Sequence, residues 1–270
     1  MSIAFVFPGQ GSQHVGMGRE VYDRYDTAKR VFEEASDTLG YDMKSLCFEG
    51  PKSELNKTFR TQPAILTVST AFLRVIEDAG LSPTVVAGHS LGEYSALVSA
   101  GVISFPDALK LTEKRGHLMQ NAVPEGKGLM AAILGLSREE VDGICLEVSA
   151  GYVSPANYNC PGQIVIAGEK EAVEEAIQIA KERGARRAVP LAVSAPSHCA
   201  LMIEASKKLA EELENIPFMA PSIPVVNNAD AIFLNTTGSI KASLVKQLDS
   251  PLLWEDSVRN IIESGIRTFV

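Results

Sequence analysis

The chain has 270 residues, 46% of them hydrophobic and 21% charged, a size near the upper limit for one hydrophobic core and a composition that excludes a disordered, collagenous or coiled-coil protein. With 25 Lys and Arg against 33 Asp and Glu the net charge is −8, so no basic surface dominates that would neutralise a phosphate backbone, and nucleic acid is not the expected partner. No run reaches the ~18 to 20 apolar residues of a membrane span, and Met1 is followed directly by an apolar run without a basic leader, so the expectation is a cytoplasmic protein without membrane contact.

In chain order, Ile3 to Phe7 reads as a buried strand and Gly18 to Thr38 as an amphipathic helix. Ala64 to Ala79 reads as a second helix, Val85 to Ala87 as a strand and Leu91 to Ala100 as a further helix. That alternation predicts an α/β fold. Gly101 ends this stretch, Pro106 and Asp107 open a helix running to about Ala122, and the loop Val123 to Gly128 closes it. Then come a strand at Leu129 to Leu134, a helix opened by Ser137-Arg-Glu-Glu140, a strand at Gln163 to Ala167, a helix at Glu171 to Arg183 and a strand at Ala188 to Val193. The order predicts a compact α+β subdomain, 125–197, inserted in a main domain built from 1–124 and 198–270. A helix from Cys199 to Glu214 leads back to that domain, and the strand-like run Ile266 to Val270 ends without a turn residue, so the C-terminus reads as cut short.

Cys47, Cys145, Cys160 and Cys199 form neither a CxxC pair nor a zinc-like spacing with histidine, so reduced thiols and no metal are expected. The chemistry is carried elsewhere. Gly88-His89-Ser90-Leu91-Gly92 lies between an apolar strand and a helix, the context of a nucleophile elbow that pushes a serine hydroxyl outward. The alternative is an ordinary strand-to-helix turn in which Ser90 caps the helix.

A serine nucleophile needs a base, and four histidines are available. His117 lies on the polar side of its helix, and His89 adjoins Ser90 too closely to bend back onto it. His14, in a loop after the first strand, stays open. His198 ends the strand-to-helix connection Ser194-Ala-Pro-Ser-His198, where a helix N-terminus would disfavour the imidazolium. Arg115 shares one helical arc with Ala108, Leu111, Leu118, Met119 and Ala122, so a permanent cation falls in the stripe that should face inward. It is either half of a structural ion pair or a fork for a substrate carboxylate. Pro8-Gly-Gln-Gly-Ser-Gln13 lacks the third glycine of a dinucleotide fingerprint, since His14 stands there. It reads instead as a close-approach loop in which Gln10 can lend a backbone amide to a site.

Taken in order, Pro8 to Gln13, Gly88-His-Ser-Leu-Gly-Glu93, Arg115-Gly-His-Leu-Met-Gln120, Asn157 to Gln163 and Ser194 to His198 together resemble the malonyl-CoA:acyl carrier protein transacylases, with the acyltransferase domains of polyketide synthases as the confusable group. The resemblance implies an α/β-hydrolase-like main domain with an inserted ferredoxin-like subdomain. It implies Ser90 as nucleophile, His198 as base, the amides of Gln10 and Leu91 as the oxyanion hole, and Arg115 as clamp for the malonyl carboxylate. Gln247 matches the position whose main-chain carbonyl orients the histidine, so a dyad without a catalytic acid is expected. Asn157, Asn159 and Gln163 match a motif lining the cleft between subdomains. The implied partners are malonyl-CoA and acyl carrier protein, the pathway is fatty acid biosynthesis, and coenzyme A enters as a thioester substrate with no cofactor. Lys110, Lys114, Arg186 and Arg187 are candidates for carrier-protein docking. A serine esterase or thioesterase shares the elbow, and a non-catalytic carrier-binding subunit is the rival of another class.

Overall fold

The computed structural model describes residues 2–191 and 195–270. In chain order the first elements are β1 (Ile3–Phe7), α1 (Arg19–Arg24), α2 (Asp26–Leu39), α3 (Met43–Phe48), α4 (Lys52–Leu55), α5 (Thr58–Asp78), β2 (Val85–Gly88), α6 (Gly92–Ser99) and α7 (Phe105–Gln120). The middle of the chain supplies β3 (Gly128–Leu134), α8 (Arg138–Glu147), β4 (Val153–Cys160), β5 (Gln163–Glu169), α9 (Lys170–Glu182) and β6 (Arg187–Pro190). After a 3₁₀ turn at Ala200–Met202 come α10 (Ile203–Glu214), β7 (Val225–Val226), β8 (Phe233–Leu234), α11 (Thr237–Asp249), α12 (Trp254–Glu263) and β9 (Thr268–Phe269).

Among the described residues the strands form two sheets. The larger has the order β8-β7-β2-β1-β9 and is parallel except for the β7–β8 pair. Its central strands are short and buried on both faces, as a parallel sheet covered by helices requires. The smaller sheet, β4-β5-β3-β6, is antiparallel. Strand alternation divides its two faces: Ala131, Ile133, Ile164 and Ile166 pack under α8 and α9, while Met130, Val165 and Ala167 cluster with Ala156 and Cys199 on the other side. That second face is turned towards the main sheet. Backbone bonds from Tyr158 N to Leu252 O (2.9 Å) and from Leu252 N to Ala156 O (2.8 Å) tie β4 to the connection between α11 and α12.

Several sequence expectations change in detail. The stretch Gly18 to Thr38 is two helices, because Tyr25 adopts an extended conformation between them. Strand β4 has no counterpart in the sequence reading. It carries Pro155 and two register shifts, so it shows no clean alternation. The strand expected at Ala188 to Val193 is observed as Arg187–Pro190, and Ala192, Val193 and Ser194 lie outside the described residues. The helix expected from Cys199 begins as the 3₁₀ turn and becomes α-helical only at Ile203. The helix expected to open at Ser137-Arg-Glu-Glu140 does so, and it starts with a capping box made in both directions at 3.2 and 2.7 Å.

Candidate active site

The register Phe7↔Gly88 and Ala87↔Val226 sets the carboxyl ends of β1, β2 and β7 side by side. The loop from Pro8, the turn at Ser90 and the pair Asn227-Asn228 therefore meet at one edge, where open α/β sheets bind ligands. Ser90 has φ 52°, a left-handed conformation that a non-glycine residue rarely adopts, and its turn fits only because Gly88 and Gly92 stand two positions to either side. A Cβ at Gly88 would overlap the backbone of Gly92, and one at Gly9 would overlap the carbonyl oxygen of His89. Hence the Gln10 loop lies directly on the elbow. Gly9→Ala is expected to destabilise the protein by roughly 1–3 kcal/mol, the cost of an overpacked contact, and to lower turnover by displacing Gln10. Thermal melting together with kcat/KM checks it, and an unchanged variant would mean the loop is free to move.

The Ser90 hydroxyl lies 2.9 Å from His198 Nε2, and His198 Nδ1 lies 2.7 Å from the carbonyl oxygen of Gln247. A carbonyl only accepts, so Nδ1 carries the proton and Nε2 presents its lone pair to Ser90. Position explains the partner. Gln247 and Leu248 are in the last turn of α11, whose carbonyls have no intrahelical donor, and His198 takes both by donating Nδ1–H to one and its backbone N–H to the other at 3.1 Å. No carboxylate is needed to fix the tautomer.

His198 does not sit at the N-terminus of a long helix, and the nearest dipole end, that of α11, favours the cation. Its neutrality has other causes. Burial, followed by the field of Arg115, pushes its pKa down to about 3. None of the remaining histidines holds Ser90: His14 and His117 are exposed, the latter stacked on Phe59, and His89 lines the cleft with its Nε2 paired to Asn159 Oδ1 at 2.8 Å.

Arg115 is 1% exposed, so the inward-facing cation read from the helical arc is present. Its Nη1 donates to Gln62 Oε1 at 2.7 Å, and its Nη2 to Gln247 Oε1 at 3.0 Å and Ser90 Oγ at 3.3 Å. All three acceptors are neutral. Nε–H has no acceptor among the described residues, and the guanidinium lies 5.4 Å from the centre of the Tyr94 ring. Burial pushes its pKa down while the nearby Tyr94 and Glu93 push it up, and an arginine keeps its proton in proteins.

Glu93, Asn228 and Gln62 were not singled out by sequence reasoning. Asn228 Oδ1 accepts from Ser90 N at 2.7 Å, and its Nδ2 donates to Gly88 O at 2.8 Å. Glu93 is fully buried in the all-buried helix α6, and burial pushes its carboxyl up to about 7. One charged residue in an otherwise uncharged helix was the available signal. A cleft of about 90 Å³ opens over Ser90 and His198, lined on one side by Gln10 and His89 and on the other by Met130, Asn157 and Val165 of the smaller sheet. Leu91 opens α6 beneath it. Asn159 borders it through His89, while Gln163 stands at the start of β5.

No helix among the described residues is long and apolar enough to cross a membrane, and no group of three or more His, Cys, Asp or Glu side chains among them has the arrangement of a metal site.

An α/β protein with a serine at a strained strand-to-helix turn, hydrogen-bonded to a buried neutral histidine, has the architecture of enzymes that work through acyl-serine chemistry. Residues 4–270 match the acyl transferase domain family, and the chain belongs to it. Among its relatives, the malonyl CoA-acyl carrier protein transacylase of Escherichia coli (strain K12) is 54% identical over 97% of this chain and 86% of its own length. That of Bacillus subtilis (strain 168) is 47% identical over 99% and 85%. Among solved structures, an acyl carrier protein S-malonyltransferase from Vibrio cholerae superposes with a TM-score of 0.97 at 51% identity, covering 100% of this chain and 89% of that one. A malonyl-transacylase in complex with its type II PKS acyl-carrier protein gives a TM-score of 0.98 at 52% identity, covering 100% and 88%.

Proposed function

We infer that this protein is a malonyl-CoA:acyl carrier protein transacylase, moving malonyl from coenzyme A to the phosphopantetheine thiol of acyl carrier protein in fatty acid synthesis. The observation that carries this reading is the buried Arg115 cation, 3.3 Å from the Ser90 hydroxyl and hydrogen-bonded only to neutral groups, with Glu93 acting on it through its field and not through a contact. A desolvated cation beside a nucleophile is costly unless an anion arrives, and a malonyl group brings its free carboxylate there. A general esterase or thioesterase gains nothing from it.

In this reading His198 Nε2 takes the Ser90 proton as Oγ attacks the thioester carbonyl. The backbone amides of Gln10 and Leu91 stabilise the tetrahedral oxyanion, and its collapse expels the coenzyme A thiolate, which takes the proton back from His198. The carrier-protein thiol then gives its proton to His198 and attacks the malonyl ester, and the expelled Ser90 oxygen takes that proton back from Nε2. Binding couples to basicity: a carboxylate paired with Arg115 offsets the field that depresses His198, so malonyl strengthens the base that activates Ser90 against it. Asn157 and Asn159 border the path of the thioester arm.

Supporting the finer description of the fold, the segment between β3 and β6 runs strand, helix, strand, strand, helix, strand, the ferredoxin-like order, and it interrupts the parallel sheet. We take 125–197 as that inserted subdomain, and 1–124 with 198–270 as the α/β-hydrolase-like catalytic domain of a cytoplasmic enzyme. Docking of an acidic carrier protein falls to the exposed Lys110, Lys114, Arg186 and Arg187, of which Lys114 already pairs with Glu212.

Incubation with malonyl-CoA and acyl carrier protein tests the reading. Malonyl-carrier product is expected, and release of free malonate as the dominant product would make the protein a hydrolase. The pH dependence adds a second expectation. Since kcat/KM reports the free enzyme, the first half-reaction should show no acid limb at the ordinary imidazole value and should hold its rate well below it. A midpoint near 6.5 in a malonyl-CoA pH profile, retained in Glu93→Gln so that the carboxyl near 7 is not its source, would contradict the neutral buried base.

A further inference from the structure

Glu93 has no step in the transfer chemistry, yet it is fully buried at the centre of the hydrogen bonds that hold the site. Its Oε2 accepts from Gln247 Nε2 at 2.8 Å and from the backbone N–H of Asn228 at 3.0 Å. Each of these partners grips one side of the nucleophile's own peptide: Asn228 Oδ1 accepts from Ser90 N at 2.7 Å, and Gln247 Nε2 donates to Ser90 O at 3.1 Å. A single carboxylate oxygen therefore anchors both restraints on a residue kept at positive φ. It also sets a polarity. A primary amide offers an acceptor at one end and donors at the other. With Nε2 committed to Glu93 and to Ser90 O, Gln247 has only its oxygen left for Arg115 Nη2. Were the amide reversed, its NH₂ would face the guanidinium, donor against donor, and push the cation off its position beside Ser90. The other carboxylate oxygen, Oε1, has no hydrogen-bond partner among the described residues. An amide at position 93 could thus place its oxygen where Oε2 is and leave its NH₂ in the vacant orientation.

We propose that Glu93 is a positioning residue that, through Gln247 and Asn228, fixes the Ser90 peptide and the orientation of the Gln247 amide, and thereby the selectivity of Arg115 for carboxylate-bearing acyl groups. The proposal rests on the acyl-transfer reading above. It concerns acceptor geometry, so the isosteric amide should substitute for the acid and an apolar isostere should not.

The test compares malonyl-CoA and acetyl-CoA as acyl donors in the wild type, Glu93→Gln, Glu93→Leu and Gln247→Met, with rates expressed per folded molecule. The last substitution keeps the main-chain carbonyl that holds His198 and removes only the amide. For Glu93→Leu and for Gln247→Met the malonyl-to-acetyl ratio of kcat/KM is expected to fall about 10- to 100-fold, the scale of a hydrogen bond to a charged group. Glu93→Gln should stay within about threefold of the wild type, because it retains the acceptor. A merely structural Glu93 would lower the melting temperature and leave the ratio per folded molecule unchanged. That result, or a Glu93→Gln as impaired in the ratio as Glu93→Leu, overturns the proposal. Should Glu93→Leu yield no folded protein, Gln247→Met decides alone, and an unchanged ratio there is likewise fatal. Failure of the underlying reading is distinguishable, since the wild type would then pass no malonyl to acyl carrier protein, either forming no adduct on Ser90 or releasing free malonate from it.

Discussion

Ser90→Ala is expected to abolish the covalent malonyl adduct and to lower transfer by at least the order of 10⁴, as losses of nucleophiles in serine enzymes do. The fold should survive. Alanine at φ 52° is strained to the same degree as serine, and the contacts that hold this turn, from Asn228 to the Ser90 N–H and from Gln247 to its carbonyl, are made by the backbone. What disappears is the oxygen between His198 Nε2 and Arg115 Nη2, a small polar gap at the floor of an open cleft. Intact mass after mixing with malonyl-CoA reads the outcome directly. An adduct persisting at full level would transfer the nucleophile's role to another residue and remove the reason for the strained turn.

Much of this site was legible because its signals are local. The elbow declares itself in five consecutive residues, and Arg115 is betrayed by the apolar company it keeps on one helical arc. The orienting carbonyl of Gln247 was reachable only through family resemblance, since nothing in the side chains around it marks the end of α11 as the place where a distant histidine finds free acceptors. The network of Glu93, Asn228 and Gln247 was not legible, because its bonds join residues more than 130 positions apart and no periodicity encodes them. Strand β4 escaped for a different reason: Pro155 and two irregular steps hide the alternation on which strands are read, and its pairing with β5 and bridge to Leu252 supply the order that its own sequence lacks. The very short strands β7 and β8 are likewise set by their neighbours, two residues being too few for any pattern. In each case tertiary contacts do what local propensity does not.

Arg115→Ala is expected to separate malonyl from acetyl transfer. Removing one partner of a desolvated ion pair costs about 3–5 kcal/mol, so malonyl transfer should fall on the order of 10² to 10³, while acetyl, which brings no carboxylate, should transfer as before or faster. Melting temperature alone cannot decide the role, because the substitution also strips a donor from the buried amide oxygens of Gln62 and Gln247, and each orphaned acceptor costs about 1–3 kcal/mol whatever the arginine is for. The ratio of kcat/KM for the two donors, taken per folded molecule, removes that contribution, since instability affects both substrates alike. A second effect works in the same direction: without the cation His198 loses one of the causes that hold its pKa down, so the base strengthens for acetyl just as the carboxylate site is lost for malonyl. Equal losses for both donors would mean that Arg115 is a structural cation holding Gln62 and Gln247 in place, and the preference for malonyl would then have to come from the walls of the cleft, where Met130, Val165 and Asn157 stand opposite Ser90.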